Sequence, residues 1–552
     1  MLEANLGYRA PMCSRSLVLI CALAAVGCSK KKSEEAPAPA PGSDVPTARP
    51  KRSALGAKGG RGGEFSPSTK GFKFQNYGNE GGVENLTSAA LERMFGPGVC
   101  AEKDGDECLL TPAAERWMEQ ENDGMDGGHC EGMATVALLF QLGKLDPKTF
   151  GAATAHDLEL AGNRSLQHEI AYWFVTQSLE PMASANVQGT PAQIVDKLIE
   201  AFESNKDSYT LGFYQPDRSG GHATTPYAVV DKGNDISWIM HYDNNFPGEE
   251  RYIEVDRKAN TWRYRTAANP AEEAENYAGD ATTNTLELSP TSIRTGTLKC
   301  PFCGDVDAEG ESSRGRRLIT AEGDADLLIV EEGGKRIGHA GGKLVNEIAG
   351  ADVIERRAYR NSDHEPTYAV PSGKKLTLTL DGAKLAAEQT ADVSLFGPGY
   401  TMGVYDVELE PKAKDTIEIS ADWKEIVYKT DSDETPIIEI GISTTAADYE
   451  FEVHALGETG GQRVRIAIDP KAGTMTVEAT AKDGSATYEV EIHRIDDHKE
   501  HVFKHKGVSS GPKDRLVFHY KTWKGNGQPM DTDVDRGGDG TIDDNEDFGD
   551  EE

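Results

Sequence analysis

The sequence predicts an α+β domain followed by an all-β sandwich region. Two observations carry this. Across residues 71–290, amphipathic helical segments come first and strand-like runs follow, the order of an α+β domain rather than of alternating β and α units. Across 318–523, nearly every apolar run is short and strand-like, as at 325–330, 375–380, 449–453 and 463–468. Gly, Asp and Pro punctuate these runs at the spacing of β-sandwiches. A chain of 552 residues exceeds what one core organises, so several units are expected.

The helices are argued from caps and stops. Thr87 or Ser88 caps a helix reaching Phe95, and Gly96-Pro97-Gly98 ends it. Pro112 opens a second helix carrying Trp117 and Met118 toward Asn122. A third starts at or near Cys130, and amphipathic segments follow at 165–178 and 191–202. Strands are then expected at 209–214, 223–230, 236–242, 251–255 and 261–264. Residues 291–317 form a junction holding Cys300-Pro-Phe-Cys303, and 524–552 an acidic tail.

The net charge of −34 lacks the basic footprint that phosphate backbones require, which excludes nucleic acid as a partner. Residues 1–28 read as a targeting segment: Arg15 precedes an apolar run too short to span a bilayer. The ending Ala25-Val26-Gly27-Cys28 resembles the lipobox of bacterial lipoproteins. That resemblance implies cleavage before Cys28, acylation of its thiol, and an extracytoplasmic, membrane-anchored protein in the periplasm or at the cell surface. Residues 29–70 are Pro-rich and then Gly-rich linker. Export permits disulfides. Cys100 and Cys108 are one close pair and Cys300 and Cys303 another, which leaves Cys130 unpartnered.

Cys130 lies in Asp126-Gly-Gly-His-Cys130-Glu-Gly-Met133, directly before the apolar run 134–140. A thiol at a helix N-terminus sits in the positive end of the peptide dipoles, which favours the nucleophilic thiolate. Its base should be a histidine oriented by a third group. His222, in Ser219-Gly-Gly-His222-Ala, opens a strand, and the next strand runs into Asp243-Asn244-Asn245. A hairpin closing on Lys232-Gly233 sets His222 opposite Asp243, and one closing on Gly233-Asn234 sets it opposite Asn245. Directly opposite residues lie about 5 Å apart, so either register brings an Asx side chain to the ring.

A Cys on the first buried helix, a Gly-His-Ala opening a later strand and an Asx ending the next together resemble the papain-like cysteine peptidases. The separation of Cys130 and His222 is nearer the bacteriocin-processing, C39-type branch. The resemblance covers roughly residues 110–265. It implies Cys130 as nucleophile, His222 as general base and Asp243 as orienter, a peptide or protein substrate, and no required cofactor. The family's oxyanion glutamine is replaced by Gly124, so Gln120 or Asn122 stands in, helped by the Cys130 N–H. The expected activity is that of a lipid-anchored thiol hydrolase, a cysteine peptidase. The alternatives are a peptidoglycan amidase or endopeptidase of NlpC/P60 type and an inactive binding lipoprotein working through its sandwich.

The C-terminal stretch places Asp535, Asp539, Thr541, Asp543 and Glu546 at ligand positions of a calcium loop of EF-hand type, with Gly540 at the turn. Gly537 supplies no ligand. A weak calcium site and a disordered acidic tail are equally compatible with this stretch.

Overall fold

The computed structural model describes residues 65–551, except 106, 217–219, 268–269, 271–273, 308–309, 311, 313–314, 358–364, 433, 457–462, 481–483, 497–498 and 526. The targeting segment, Cys28 and the linker up to residue 64 lie outside the described residues.

The first region is built from helices and then a sheet. Its helices are α1 (Pro67–Lys70), α2 (Ser88–Phe95), α3 (Pro112–Asp123), α4 (Cys130–Gln141), α5 (Arg164–Val175), α6 (Met182–Ala185), α7 (Pro191–Ser204) and α8 (Thr291–Arg294). The N-caps explain the starts: the Thr87 hydroxyl accepts the Ala90 N–H and the Thr111 hydroxyl accepts the Ala114 N–H. Thr190 and Gln193 form a reciprocal capping box at α7. α4 is buried along nearly its whole length, as its continuous apolar run requires, and packs on α5.

A hairpin of β1 (Cys100–Asp104) and β2 (Glu107–Leu110) precedes α3. The main sheet of this region has eight antiparallel strands: β3 (Val187–Gln188), β4 (Tyr209–Tyr214), β5 (Gly221–Gly233), β6 (Ile236–Tyr242), β7 (Arg251–Asp256), β8 (Thr261–Thr266), β9 (Glu275–Gly279) and β10 (Leu286–Pro290). Their order is β3-β10-β4-β5-β6-β7-β8-β9.

The remainder is two antiparallel sheets of nine and eleven strands. Leu395, Val404, Ile440, Phe451 and Ile492 of the first share one apolar core with Leu378, Ile417, Ile426, Ile466 and Val477 of the second. Within a strand, inward and outward residues alternate, as at Leu376–Asp381. The chain therefore continues as one β-sandwich region with a single core.

The expected boundaries shift in three places. Residues 65–70, expected as linker, are part of the fold: Phe65 is buried against Tyr227 and Tyr242, and α1 follows it. The stretch after 523 is not a separate tail, because Met530–Asp535 and Asp544–Phe548 add two strands to the eleven-stranded sheet. Nor is the junction a separation. Arg116 of α3 donates to Glu439 of the nine-stranded sheet at 2.5 Å, and Arg356 donates to Glu121 of α3 at 2.6 Å. Among the described residues, no helix is long and apolar enough to cross a membrane.

Candidate active site

Cys130 is the first residue of α4; His129 stands at the N-cap position without a side-chain cap bond, after Gly128, whose φ of 127° makes the sharp entry that glycine tolerates. The Met133 N–H is the first to reach back to His129 O. The N–H groups of Cys130, Glu131 and Gly132 therefore point out of the helix end with no intrahelical acceptor. Cys130 is the free cysteine among the described residues, because Cys100–Cys108 and Cys300–Cys303 are disulfides.

His222 stands near the start of β5, opposite Phe213 of β4. Its Nε2 donates to Asp243 Oδ1 at 2.8 Å. Its Nδ1 is buried without an aligned hydrogen-bond partner. Burial alone would lower this imidazole's pKa; the charge of Asp243, then that of Cys130, outweighs burial and raises it to about 10. Burial likewise works to raise the Asp243 carboxyl, but His222 and the Tyr264 hydroxyl hold it well below the usual carboxylate range. The structure thus brings Cys130, His222 and Asp243 together, all three fully buried.

The hairpin that achieves this closes later than either expectation, yet beside the site it reaches the register expected from closure on Gly233-Asn234. It closes on Asn234 and Asp235, both left-handed, one residue after the Gly233-Asn234 closure and two after the Lys232-Gly233 closure. Two bulges, at Asp231/Gly233 and Pro226/Ala228, then move the pairing to Pro226↔His241 and Thr225↔Tyr242. Proline has no N–H to give the ladder, so its place at a bulge is expected. Extended by three residues, this register would set Asn245 opposite His222. Pairing stops at Tyr242, however, and the chain turns so that Asp243 reaches the ring.

Asn244 and Asn245 are buried brackets. Asn244 Nδ2 donates to the carbonyls of Cys130 (3.0 Å) and Ala223 (3.1 Å), tying the start of α4 to β5. Asn245 donates its backbone N–H to Asp243 Oδ1 and its Nδ2 to Ala267 O. Sequence reasoning missed Tyr264 and Thr266, which donate to Asp243 Oδ2 at 2.7 and 3.2 Å. Their alternation on β8 marks them as inward-facing, but nothing in the sequence names their acceptor.

Other candidates separate. Asn122 does not serve as an oxyanion donor: its Oδ1 accepts the Leu86 N–H at 2.8 Å and its Nδ2 donates to Leu86 O at 3.2 Å. Gln120 is buried on α3 with its Oε1 unpartnered. His129 is structural, with Nδ1 on Tyr77 O and Nε2 on Asn85 Oδ1, stacked on the Tyr77 ring. His241 faces inward, its edge to Tyr264 and both nitrogens unpartnered.

The calcium-loop residues are not gathered. Asp535 accepts the N–H groups of Asp539 and Gly540, Asp539 that of Thr541, and Asp543 that of Arg536. Glu546 lies on a strand opposite Thr532 rather than on an exiting helix. Among the described residues, no three of these carboxylates bring ligand oxygens together.

Comparison with protein-family models, curated proteins and solved structures finds no match, so the meaning of this site rests on its geometry.

Proposed function

We propose that this protein is an exported thiol hydrolase, most simply a cysteine peptidase of papain-like design, anchored to a membrane through Cys28. The observation that carries the reading is the buried relay in which Asp243 grips one edge of His222 and Cys130 acts on the ring electrostatically. Relays of nucleophile, base and orienter are the common basis of acyl transfer by side chains. Two disulfides among the described residues support export.

In this reading the Cys130 sulfur attacks an amide carbonyl, forming a C–S bond while the carbonyl oxygen takes the electron pair. The N–H groups at the start of α4 that have no intrahelical acceptor, led by that of Cys130, receive the oxyanion. Protonated His222 gives its proton to the leaving amine as the C–N bond breaks. Water, deprotonated by His222, then attacks the thioester and frees the carboxylate and Sγ. Asp243, fixed by its four donors, keeps the ring oriented and favours its charged form throughout.

The test is alkylation of Cys130 by iodoacetamide as a function of pH, beside a His222→Ala variant. Labelling below pH ~8.5, the usual thiol pKa, should be at least tenfold faster in the wild type. Labelling at equal rates would leave an inert core cysteine and move the working surface to the sandwich.

A further inference from the structure

The residue after the nucleophile, Glu131, is fully buried and holds two guanidinium groups. Arg294 pairs with its Oε1, and Arg357 donates Nη1 to its Oε2 at 2.6 Å. Arg294 belongs to the first region. Arg357 does not: it follows strand Asp352–Ile354 of the nine-stranded sheet and enters from the sandwich region. Its Nη2 pairs with Glu287, which also accepts the Tyr214 hydroxyl at 2.8 Å. Its backbone N–H donates to Gln177 Oε1 at 2.8 Å.

The first region is shaped around this arginine. A Cβ on Gly212 would stand 2.0 Å from Arg357 Nε, so that strand position admits only glycine while the guanidinium is present. A Cβ on Gly221 would stand 3.3 Å from Arg357 Cα, and Gly221 immediately precedes His222. The main chain of Arg357 therefore passes the strand position before the base, on the face opposite its ring, while its side chain runs to the carboxylate next to the nucleophile. Without Arg357 the pocket holds two carboxylates and Arg294, one net negative charge in a buried site. Burial opposes ionisation of both glutamates, and Arg357 is the leading group that keeps each one charged. A cleft of about 370 Å³, walled by Tyr214, Glu287 and residues 352–355, leads to the same place.

We propose that the Glu131–Glu287–Tyr214 pocket is the subsite for an arginine side chain of the substrate, and that Arg357 fills it as a tethered mimic that keeps the enzyme latent. This rests on the thiol-hydrolase reading. The two carboxylates meet two different ends of a planar fork, which a guanidinium matches and an ammonium does not. The Gln177 contact is to main chain, which any peptide offers.

The experiment is iodoacetamide labelling of Cys130 in the full exported chain and in Arg357→Ala, with N-acetyl-arginine amide or its neutral isostere N-acetyl-citrulline amide as probe. The account expects Arg357→Ala to label about tenfold faster, in proportion to the open fraction. The arginine amide should slow it again, and the citrulline amide should not. Glu287→Gln, which keeps the arginine but loosens its hold, should also label faster and serves if Arg357→Ala does not fold. Unchanged labelling in the folded variants would overturn the proposal, as would equal effects of the two amides; Arg357 would then be a purely structural pair. Adding His222→Ala to Arg357→Ala separates the two claims. If the arginine amide still protects Cys130 but labelling ignores His222, the subsite stands and the hydrolase reading falls.

Discussion

Four donors converge on the Asp243 carboxylate: His222 Nε2, the Asn245 N–H, and the hydroxyls of Tyr264 and Thr266. A hydrogen bond to a charged group contributes about 1.5–3 kcal/mol. Tyr264→Phe should lower unfolding free energy by roughly that amount in urea titration, and a loss below ~0.5 kcal/mol would mean that Tyr264 is not holding the carboxylate. The buried histidines couple stability to pH in opposite directions. His222 has a folded pKa of about 10, above the unfolded value of roughly 6.5. Its contribution is complete below pH ~6.5 and is lost as pH rises toward 10. His241 is shifted the other way, to about 3, chiefly by burial. Below pH ~6.5 the unfolded chain takes up this proton first, so His241 destabilises the fold as pH falls toward 3, at up to ~1.4 kcal/mol per pH unit. His241→Phe should flatten that acid limb in urea midpoints measured from pH 4 to 7, and an unchanged limb would contradict the assignment.

At the scale of elements, the sequence shows what has local causes and hides what depends on partners. Strands Tyr209–Tyr214 and Ile236–Tyr242 are legible at their observed bounds, because apolar runs meet Asn, Asp and Gly at their ends. The start of α4 is legible because two glycines meet an apolar run. The pairing of His222 with Asp243 follows from their places near strand ends, yet the turn does not: the hairpin closes later than expected and two bulges bring it to the register that would set Asn245 opposite His222. The last two strands hide behind their charge. In Met530-Asp-Thr-Asp-Val, alternate positions Met530, Thr532 and Val534 are buried, an alternation obscured by the aspartates between them. Asn244 joins two elements by a single side chain, and losing such a buried donor costs about 1–3 kcal/mol. Asn244→Ala should lower stability by that order and slow Cys130 alkylation, because the nucleophile's helix is no longer fixed to the strand of the base. Stability loss without slower labelling would separate the bracket from the chemistry.

At the scale of the whole molecule, the first region and the sandwich are joined by ion pairs rather than by a flexible tether. Arg116–Glu439, Arg356–Glu121 and Arg357 with Glu131 and Glu287 all cross between them. Sequence periodicity cannot reveal these pairs, since their partners lie 70 to 323 residues apart and look like ordinary surface charges. The C-terminal strands are part of the same structure. Truncation after residue 523 removes the fully buried Met530 and nearly buried Val534 and opens an unpaired edge, where each lost apolar side chain costs roughly 1.5–3 kcal/mol. The truncated chain should melt several degrees lower or fail to express. A melting temperature equal to that of the full chain would restore the reading of this stretch as a tail.

The most direct test of the central claim is the titration of His222, followed by NMR of histidine-labelled protein with Cys130→Ser and Asp243→Ala alongside. The account predicts a ring that stays protonated well above pH 6.5, titrating near 10, and whose pKa falls when either neighbour is removed. A ring that titrates at or below 6.5 and ignores both substitutions would contradict an activated Cys130–His222–Asp243 relay.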